Sequence, residues 1–146
     1  MLAFFRILAV LTVFIHVLAL PAQEANASSA LRVRNDPGGH VVDYMLRVKE
    51  FTRQGRQVQV IGRCDSACTL FLSLPASQIC VESGARFGFH LPFGGNREGN
   101  RVAKNFMLAS YPGWVREWIT SKGGLSSRLI VMDYEYARLF VDVCKT

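Results

Sequence analysis

The sequence predicts an α/β fold in which helices cover a mainly parallel sheet. Short runs of β-branched residues alternate along the chain with segments of helical periodicity, as is typical of strand–helix–strand units. Glycine and proline separate most of these segments. Behind an N-terminal leader about 119 residues remain, which suffices for one hydrophobic core and predicts one domain, residues 28–146.

The leader, residues 1–27, is typical of a secretory signal peptide. It has an early positive charge at Arg6, an apolar stretch over residues 7–20 and a small-x-small cleavage site at Ala25-Asn26-Ala27. The apolar stretch is about 14 residues long, whereas roughly 20 are needed to span a bilayer. We therefore expect the rest of the chain to be periplasmic or secreted. Without cleavage, the same stretch would be a membrane anchor.

The first half of the chain contains a strand, a helix and a second strand. Residues 31–34 alternate apolar and polar side chains as a strand does, and the breaker residues 35–39 predict a turn. Residues 41–54 have one apolar helical face, and Gly55 ends that helix. The β-branched residues 58–61 predict the second strand.

The middle of the chain is predicted to turn over residues 62–65 and then form a helix. Residues 66–74 are small and apolar, which predicts a buried helix that Pro75 stops. Residues 78–82 and 85–90 predict a strand pair or one bent strand.

The remainder is predicted to be helical. A glycine-rich loop over residues 92–99 leads into a helix over residues 102–122, interrupted near Pro112. The periodicity predicts a last helix over residues 127–143, with a face made of Leu129, Met132, Tyr136, Leu139 and Val143. The aromatic residues here have core-like spacing, and core packing is their default role: Tyr111, Trp114, Trp118, Tyr134 and Tyr136.

The basic residues are scattered along the chain. The formal net charge of +6 survives cleavage because Arg6 and Glu24 leave together. A nucleic-acid binder would tend to cluster its basic residues on one face with aromatic platforms. We therefore expect a solvated basic surface, no nucleic-acid partner and no cofactor.

Four cysteines follow the leader, and an even count in an exported chain favours disulfides. Three full pairings are possible. We expect Cys64–Cys68, which are close in sequence at a strand-to-helix turn, and Cys80–Cys144, which would hold the C-terminal end. A zinc site is the alternative, but no CxxC pair with partner ligands is present, and we expect no metal.

Three groups of residues at predicted strand ends could carry chemistry, because function gathers at the carboxyl ends of parallel strands. Ser66 starts a helix, where backbone N–H groups can hold an oxyanion. His90 ends a later strand and could take the serine proton. Gly38-Gly39 allows close backbone approach to a ligand. Taken singly, these residues could be only a helix cap, a packing histidine and a turn.

Three motifs in this order resemble the Clp protease proteolytic subunit. The turn Asn35-Asp36-Pro37-Gly38-Gly39 is similar to the family's Asn-Ser-Pro-Gly-Gly turn. Ser66-Ala67-Cys68 resembles its serine-small-small element, and the strand ending at His90 is followed by proline and two glycines, as in the family. The resemblance spans residues 31–95. The Cys-x-Ser-Ala-Cys form is most similar to small exported alphaproteobacterial members of the Clp/crotonase superfamily.

This resemblance implies a trimmed ClpP/crotonase-like β-α-β-α-β core followed by C-terminal helices. It makes Ser66 the nucleophile and His90 the general base, with Gly39 and Ala67 as the oxyanion-hole amides and Gly38 shaping the turn. The family's third catalytic residue is an aspartate, and the aligned position here is not acidic. Possible substitutes are Asp133, Glu135 and Asp43.

The resemblance leaves two functions open. One is an exported serine hydrolase, a peptidase acting by acyl transfer. The other is a non-catalytic relative that binds a peptide or an envelope protein in the same crevice. The Clp subunit works as a ring fed by an ATP-driven unfoldase, so a homo-oligomer is possible. An ATPase partner is not expected for an exported chain.

Overall fold

The structure, a computed structural model, describes residues 29–145. The predicted signal peptide lies outside these residues. In the part of the chain that is described, no helix has the length and apolar character needed to cross a bilayer.

The described residues form an α/β fold, as the sequence predicts. Its elements are, in chain order, β1 (Leu31–Asp36), α1 (Val41–Gln54), β2 (Val58–Asp65), a 3₁₀ segment (Ser66–Ser73), a 3₁₀ turn (Ala76–Gln78), β3 (Ile79–Val81), β4 (Arg86–Phe89), α2 (Arg97–Ser110), α3 (Gly113–Ser121), β5 (Ile130–Asp133), α4 (Tyr134–Ala137) and β6 (Asp142–Val143).

The strands form one mixed sheet around β2. Strand β1 runs parallel to β2 on one side. On the other side, β3 pairs with the first half of β2 and β4 with its second half, both in parallel. The sheet continues with β6 parallel to β3 and with β5 antiparallel to β4.

Strand β2 is longer than the sequence predicts, so the turn expected over residues 62–65 is wrong. Gly62 lies inside the strand, at a bulge where the register with β1 shifts between Val33 and Asn35. A side chain at Gly62 would collide with the Arg34 carbonyl oxygen of β1. The glycine therefore allows two strands to approach closely at a bulge, and does not mark a turn.

The helix predicted over residues 66–74 is a 3₁₀ helix, the tighter type that proteins use in short pieces. Its residues from Ala67 to Leu72 are all buried, because α1 packs on one side of it and the sheet on the other. The Phe71 ring contacts Tyr44 and Phe51 of α1, each with ring centroids 5.8 Å apart. This packing fixes α1 over the 3₁₀ segment.

Helix α2 starts earlier than predicted, inside the segment expected to be a loop over residues 92–99. The Asn96 side chain accepts a hydrogen bond from the Gly99 N–H at 2.7 Å and thereby caps the helix. The predicted interruption near Pro112 is confirmed, since α2 ends at Ser110 and α3 begins at Gly113.

The last helix predicted over residues 127–143 is wrong. Its first part forms β5, with Ile130 opposite Phe89 and Asp133 opposite Arg86 of β4. Pairing along β4 overrides the helical periodicity, and the β-branched Ile130 and Val131 suit a strand. Leu139, a member of the predicted apolar face, is 66% exposed.

Two disulfides close the fold, Cys64–Cys68 and Cys80–Cys144, which is the pairing expected from the sequence. The second disulfide holds β6 beside β3, where the Cys144 N–H also donates to the Val81 carbonyl at 3.0 Å. Among residues 29–145, no three His, Cys, Asp or Glu side chains gather closely enough to hold a metal ion.

Candidate functional site

Three strand ends meet at one edge of the sheet. In the register, Cys64 of β2 lies between Asp36 of β1 and Phe87 of β4. The glycine turn follows Asp36, Ser66 comes two residues after Cys64, and His90 comes three residues after Phe87. The residues that the sequence singles out therefore leave the sheet side by side.

Ser66 has an unusual backbone conformation. Its φ of 55° is the only positive value for a residue other than glycine among residues 29–145. The left-handed region costs such a residue about 1–3 kcal/mol, and this strain persists only where the surrounding structure imposes it. Residues of this kind cluster at active sites and ligand clamps. The half-buried Ser66 is thus held at a sharp turn between β2 and the 3₁₀ segment.

Gly38 lies directly against Ser66. A Cβ atom at Gly38 would be 2.7 Å from the Ser66 Cβ and 2.9 Å from the Ala67 backbone nitrogen. The φ of Gly38 is also positive, at 85°. Only glycine meets both conditions without strain, because it has no side chain. The glycine turn and the serine turn therefore form one compact backbone arrangement.

Asp36 organises the glycine turn. Its Oδ1 accepts hydrogen bonds from the Gly38 N–H at 2.9 Å and from the Tyr44 hydroxyl at 2.5 Å. The Gly38 N–H is therefore occupied, whereas the N–H groups of Gly39 and Ala67 have no acceptor within residues 29–145. Burial and the neighbouring Asp36 raise the pKa of Tyr44 to about 12.

Sequence reasoning missed the role of Asp36, although a signal was present. An aspartate that bonds the N–H two residues later forms an Asx turn, and aspartate before Pro-Gly is typical of such turns. The partner Tyr44 could not be recognised locally, because α1 brings it back over the turn from eight positions away.

The Cys64–Cys68 disulfide closes a short loop that contains Ser66. Both cysteines are buried, one near the end of β2 and the other in the 3₁₀ segment. Only four positions separate them in sequence, and Ser66 lies midway. The covalent link therefore restrains the backbone on both sides of the serine.

Asp65 is a buried carboxylate beside this turn that the sequence did not single out. Its side chain is 6% exposed and forms an ion pair with Arg63. A side chain at Gly88 of β4 would collide with the Asp65 carboxylate, so the glycine makes room for the acid. A charge this buried needs its partner, and Arg63 supplies it.

His90 is half-buried just beyond β4. Its Nδ1 lies 2.7 Å from the carbonyl oxygen of Leu91, and its ring contacts exposed Phe93 in a tilted arrangement with centroids 5.4 Å apart. A carbonyl oxygen can only accept, so Nδ1 carries the proton of the neutral ring. The lone pair is then on Nε2, the form a general base requires. The hydroxyl of Ser66 and the ring of His90 share no hydrogen bond in this arrangement.

Two of the three acids considered as a third catalytic residue are engaged elsewhere, and the third is largely exposed. Asp133 caps α4 and is opposite Arg86, four residues and about 13 Å along β4 from His90. Glu135 pairs with Arg138 at 2.7 Å. Asp43 is 73% exposed and lies 4.0 Å from the His40 Nδ1. The Leu91 carbonyl occupies the position on His90 that a carboxylate would take.

The aromatic residues behind the site pack as the default interpretation predicts. Tyr111 and Trp118 are buried and both contact Phe89, with ring centroids 5.7 and 5.6 Å away. Trp114, Tyr134 and Tyr136 are partly buried against the same core.

No family model matches the chain, and a search of curated proteins finds no match.

Proposed function

We propose that this protein is an exported serine hydrolase, a peptidase that acts by acyl transfer on a trimmed Clp/crotonase-like fold. The observation that carries the proposal is the left-handed Ser66 at a strand end, with the Gly38 backbone against it. Strain of this kind is stored where function needs a fixed geometry. Two disulfides are typical of an oxidising compartment outside the cytosol, which supports export.

In the proposed reaction, the Ser66 hydroxyl attacks the carbonyl carbon of a peptide bond while the His90 Nε2 takes its proton. The carbonyl electron pair moves onto oxygen, and the N–H groups of Gly39 and Ala67 stabilise the oxyanion. His90 returns the proton to the leaving amine as the C–N bond breaks. Water then hydrolyses the acyl-enzyme by the same steps.

The Leu91 carbonyl supports this role by holding His90 in the required tautomer. A neutral carbonyl stabilises the imidazolium less than a carboxylate does, so we expect slow turnover. Catalysis without the acid is still possible, because the oxyanion hole and substrate binding retain part of the acceleration.

A fluorophosphonate probe tests the proposal, since it reacts with activated serines. Folded, oxidised wild-type protein should be labelled, and Ser66→Ala should not. Ser83→Ala is the matched control, because Ser83 is an exposed serine in the turn before β4, at the opposite end of that strand from His90. His90→Ala should slow labelling by about a hundredfold or more, as loss of a general base does. No labelling of folded wild-type protein would exclude the hydrolase.

One observation favours a second function, a non-catalytic module that binds a peptide or an envelope protein at the same strand ends. The Ser66 hydroxyl makes no hydrogen bond to the His90 ring. A binding module would leave wild-type protein unlabelled. Its peptide ligands would protect the Ala67 amide in hydrogen exchange, and Ser66→Ala would keep that protection.

A further inference from the structure

A chain of buried hydroxyl groups ends at the backbone of Ser66. The Tyr111 hydroxyl lies 2.6 Å from the Thr69 Oγ1, and the Thr69 Oγ1 lies 2.6 Å from the Ser66 carbonyl oxygen. Tyr111 is 1% exposed and Thr69 is 0% exposed, so both act away from solvent. These residues come from distant parts of the chain, since Tyr111 lies between α2 and α3.

The direction of these hydrogen bonds follows from the groups involved. The Ser66 carbonyl can only accept, so the single Thr69 hydroxyl proton points to it. The Thr69 oxygen then accepts the proton of Tyr111. Burial raises the pKa of Tyr111, so this phenol keeps its proton at neutral pH and always donates.

This chain adds a restraint on the plane of the Ser66–Ala67 peptide, which opens the 3₁₀ segment. In a planar trans peptide the C=O and N–H bonds point in opposite directions, and no peptide bond among residues 29–145 is cis. Since the Ser66 carbonyl is directed towards Thr69, the Ala67 N–H must point away from Thr69. The Ala67 nitrogen is the atom that a Cβ at Gly38 would approach to 2.9 Å, so it borders the glycine turn.

Tyr111 also contacts the strand that carries the histidine. Its ring packs edge-on against Phe89, the residue before His90, with centroids 5.7 Å apart. Arg116 donates to the Tyr111 carbonyl and holds that backbone in turn. Tyr111 therefore connects the two strand ends. Its hydroxyl reaches the serine turn through Thr69, and its ring packs against Phe89 of β4.

We propose that Tyr111 and Thr69 are positioning residues that hold the Ala67 N–H towards the glycine turn beside Ser66. This inference rests on the proposed function, because it assigns that N–H an oxyanion to bind. Rotation of one peptide plane is the change that distinguishes common turn types. Loss of either hydroxyl would weaken the restraint on this rotation, which the 3₁₀ backbone shares, and leave the donor misdirected part of the time.

The test compares fluorophosphonate labelling rates. Thr69→Val and Tyr111→Phe keep the shape of each side chain and remove its hydroxyl, and we expect each to slow labelling by about tenfold, less than the loss of an oxyanion donor itself. Thr69→Ser restores the hydroxyl and should label within about threefold of wild type. Ser73→Ala is the matched control, because Ser73 donates to the Leu70 carbonyl at 2.6 Å in the same 3₁₀ segment. It should label like wild type.

Thermal unfolding of each variant shows whether the variant is still folded, so that a slower labelling rate can be assigned to positioning and not to loss of the fold. Wild-type labelling rates for both hydroxyl-free variants, measured on folded protein, would overturn the inference. Equal slowing in Ser73→Ala would also overturn it, because the effect would then belong to the whole segment.

A second measurement applies if wild-type protein is not labelled, which would exclude the proposed function but not the geometry. The ¹H–¹⁵N signal of Ala67 should shift or broaden in Thr69→Val and Tyr111→Phe, and stay unchanged in Ser73→Ala. An unchanged Ala67 signal in all variants would show that the hydroxyl chain does not hold this peptide.

Discussion

The serine turn and the C-terminal tail are each closed by a disulfide, but the two disulfides hold different things. Cys64 and Cys68 are four positions apart, both buried, and restrain the three residues between them, with Ser66 in the middle. Cys80 and Cys144 are 64 positions apart and join β3 to the tail strand β6. A disulfide that closes a short loop removes little conformational entropy from the unfolded chain, whereas one that closes a long loop removes more. One bridge therefore shapes a local geometry and the other stabilises the fold.

The largest effect on stability should come from the tail disulfide. Replacing Cys80 and Cys144 by alanine should lower the free energy of unfolding by about 4 kcal/mol, as expected for a loop of 64 positions. Urea denaturation measures this loss. Fluorophosphonate labelling of the protein that remains folded should keep its wild-type rate. Slower labelling would show that the tail also shapes the serine turn.

The next largest effect should come from Gly38. Gly38→Ala combines an unfavourable positive φ with contacts of 2.5 Å to the Asp65 carbonyl oxygen and 2.7 Å to the Ser66 Cβ. We expect a loss of about 3 kcal/mol from backbone strain and overpacking together.

Gly94→Ala is the control for Gly38→Ala. Gly94 also has a positive φ, 92°, but nothing lies within 4 Å of a Cβ there, so backbone strain alone should cost about 1 kcal/mol. Equal losses in the two variants, measured by urea denaturation, would contradict tight contact between the glycine turn and Ser66.

Removing the short disulfide should affect stability less and reactivity more. Replacing Cys64 and Cys68 by alanine should cost about 2 kcal/mol, because so short a loop restricts the unfolded chain little. Labelling of Ser66 should slow by about tenfold or more, since the strained turn loses its restraint. A wild-type labelling rate in folded protein would show that packing alone holds the serine.

The smallest expected effect depends on pH. Tyr44 keeps its proton in the folded protein up to a pKa of about 12, against an ordinary value of 10.0. Its contribution to stability is therefore complete below pH 10 and lost as pH rises towards 12. The difference in unfolding free energy between wild type and Tyr44→Phe should shrink over this range. A constant difference would mean that Tyr44 is not perturbed by Asp36 and burial.

Much of the first half of the fold could be predicted, because local pattern and tertiary role agree there. The alternation in residues 31–34 and the β-branched residues 58–61 do form parallel strands, and Gly55 ends α1 in a left-handed conformation. The prediction ended β2 too early, at Gly62. This glycine lies at a bulge inside the strand, and the bulge is visible only in the register between β1 and β2.

The C-terminal part could not be predicted from periodicity. Residues 130–133 carry an apolar spacing compatible with a helix, but β4 has an edge to which they pair. In the candidate site, too, some residues are predictable from local sequence and others only from the tertiary fold. Ser66, His90 and the glycines are recognisable from sequence, whereas Tyr111 and Thr69 meet only after the chain has folded, 42 positions apart.

The order of the cysteines has a consequence for biogenesis. The first cysteine of the described chain pairs with the second and the third with the fourth, so each native bond joins neighbours in order of emergence. A chain that enters an oxidising compartment N-terminus first, and is oxidised as it arrives, forms Cys64–Cys68 before Cys80 emerges to compete for either thiol. The native connectivity is then reached without thiol–disulfide reshuffling, and we expect oxidative folding in such a compartment to need an oxidase but no disulfide isomerase.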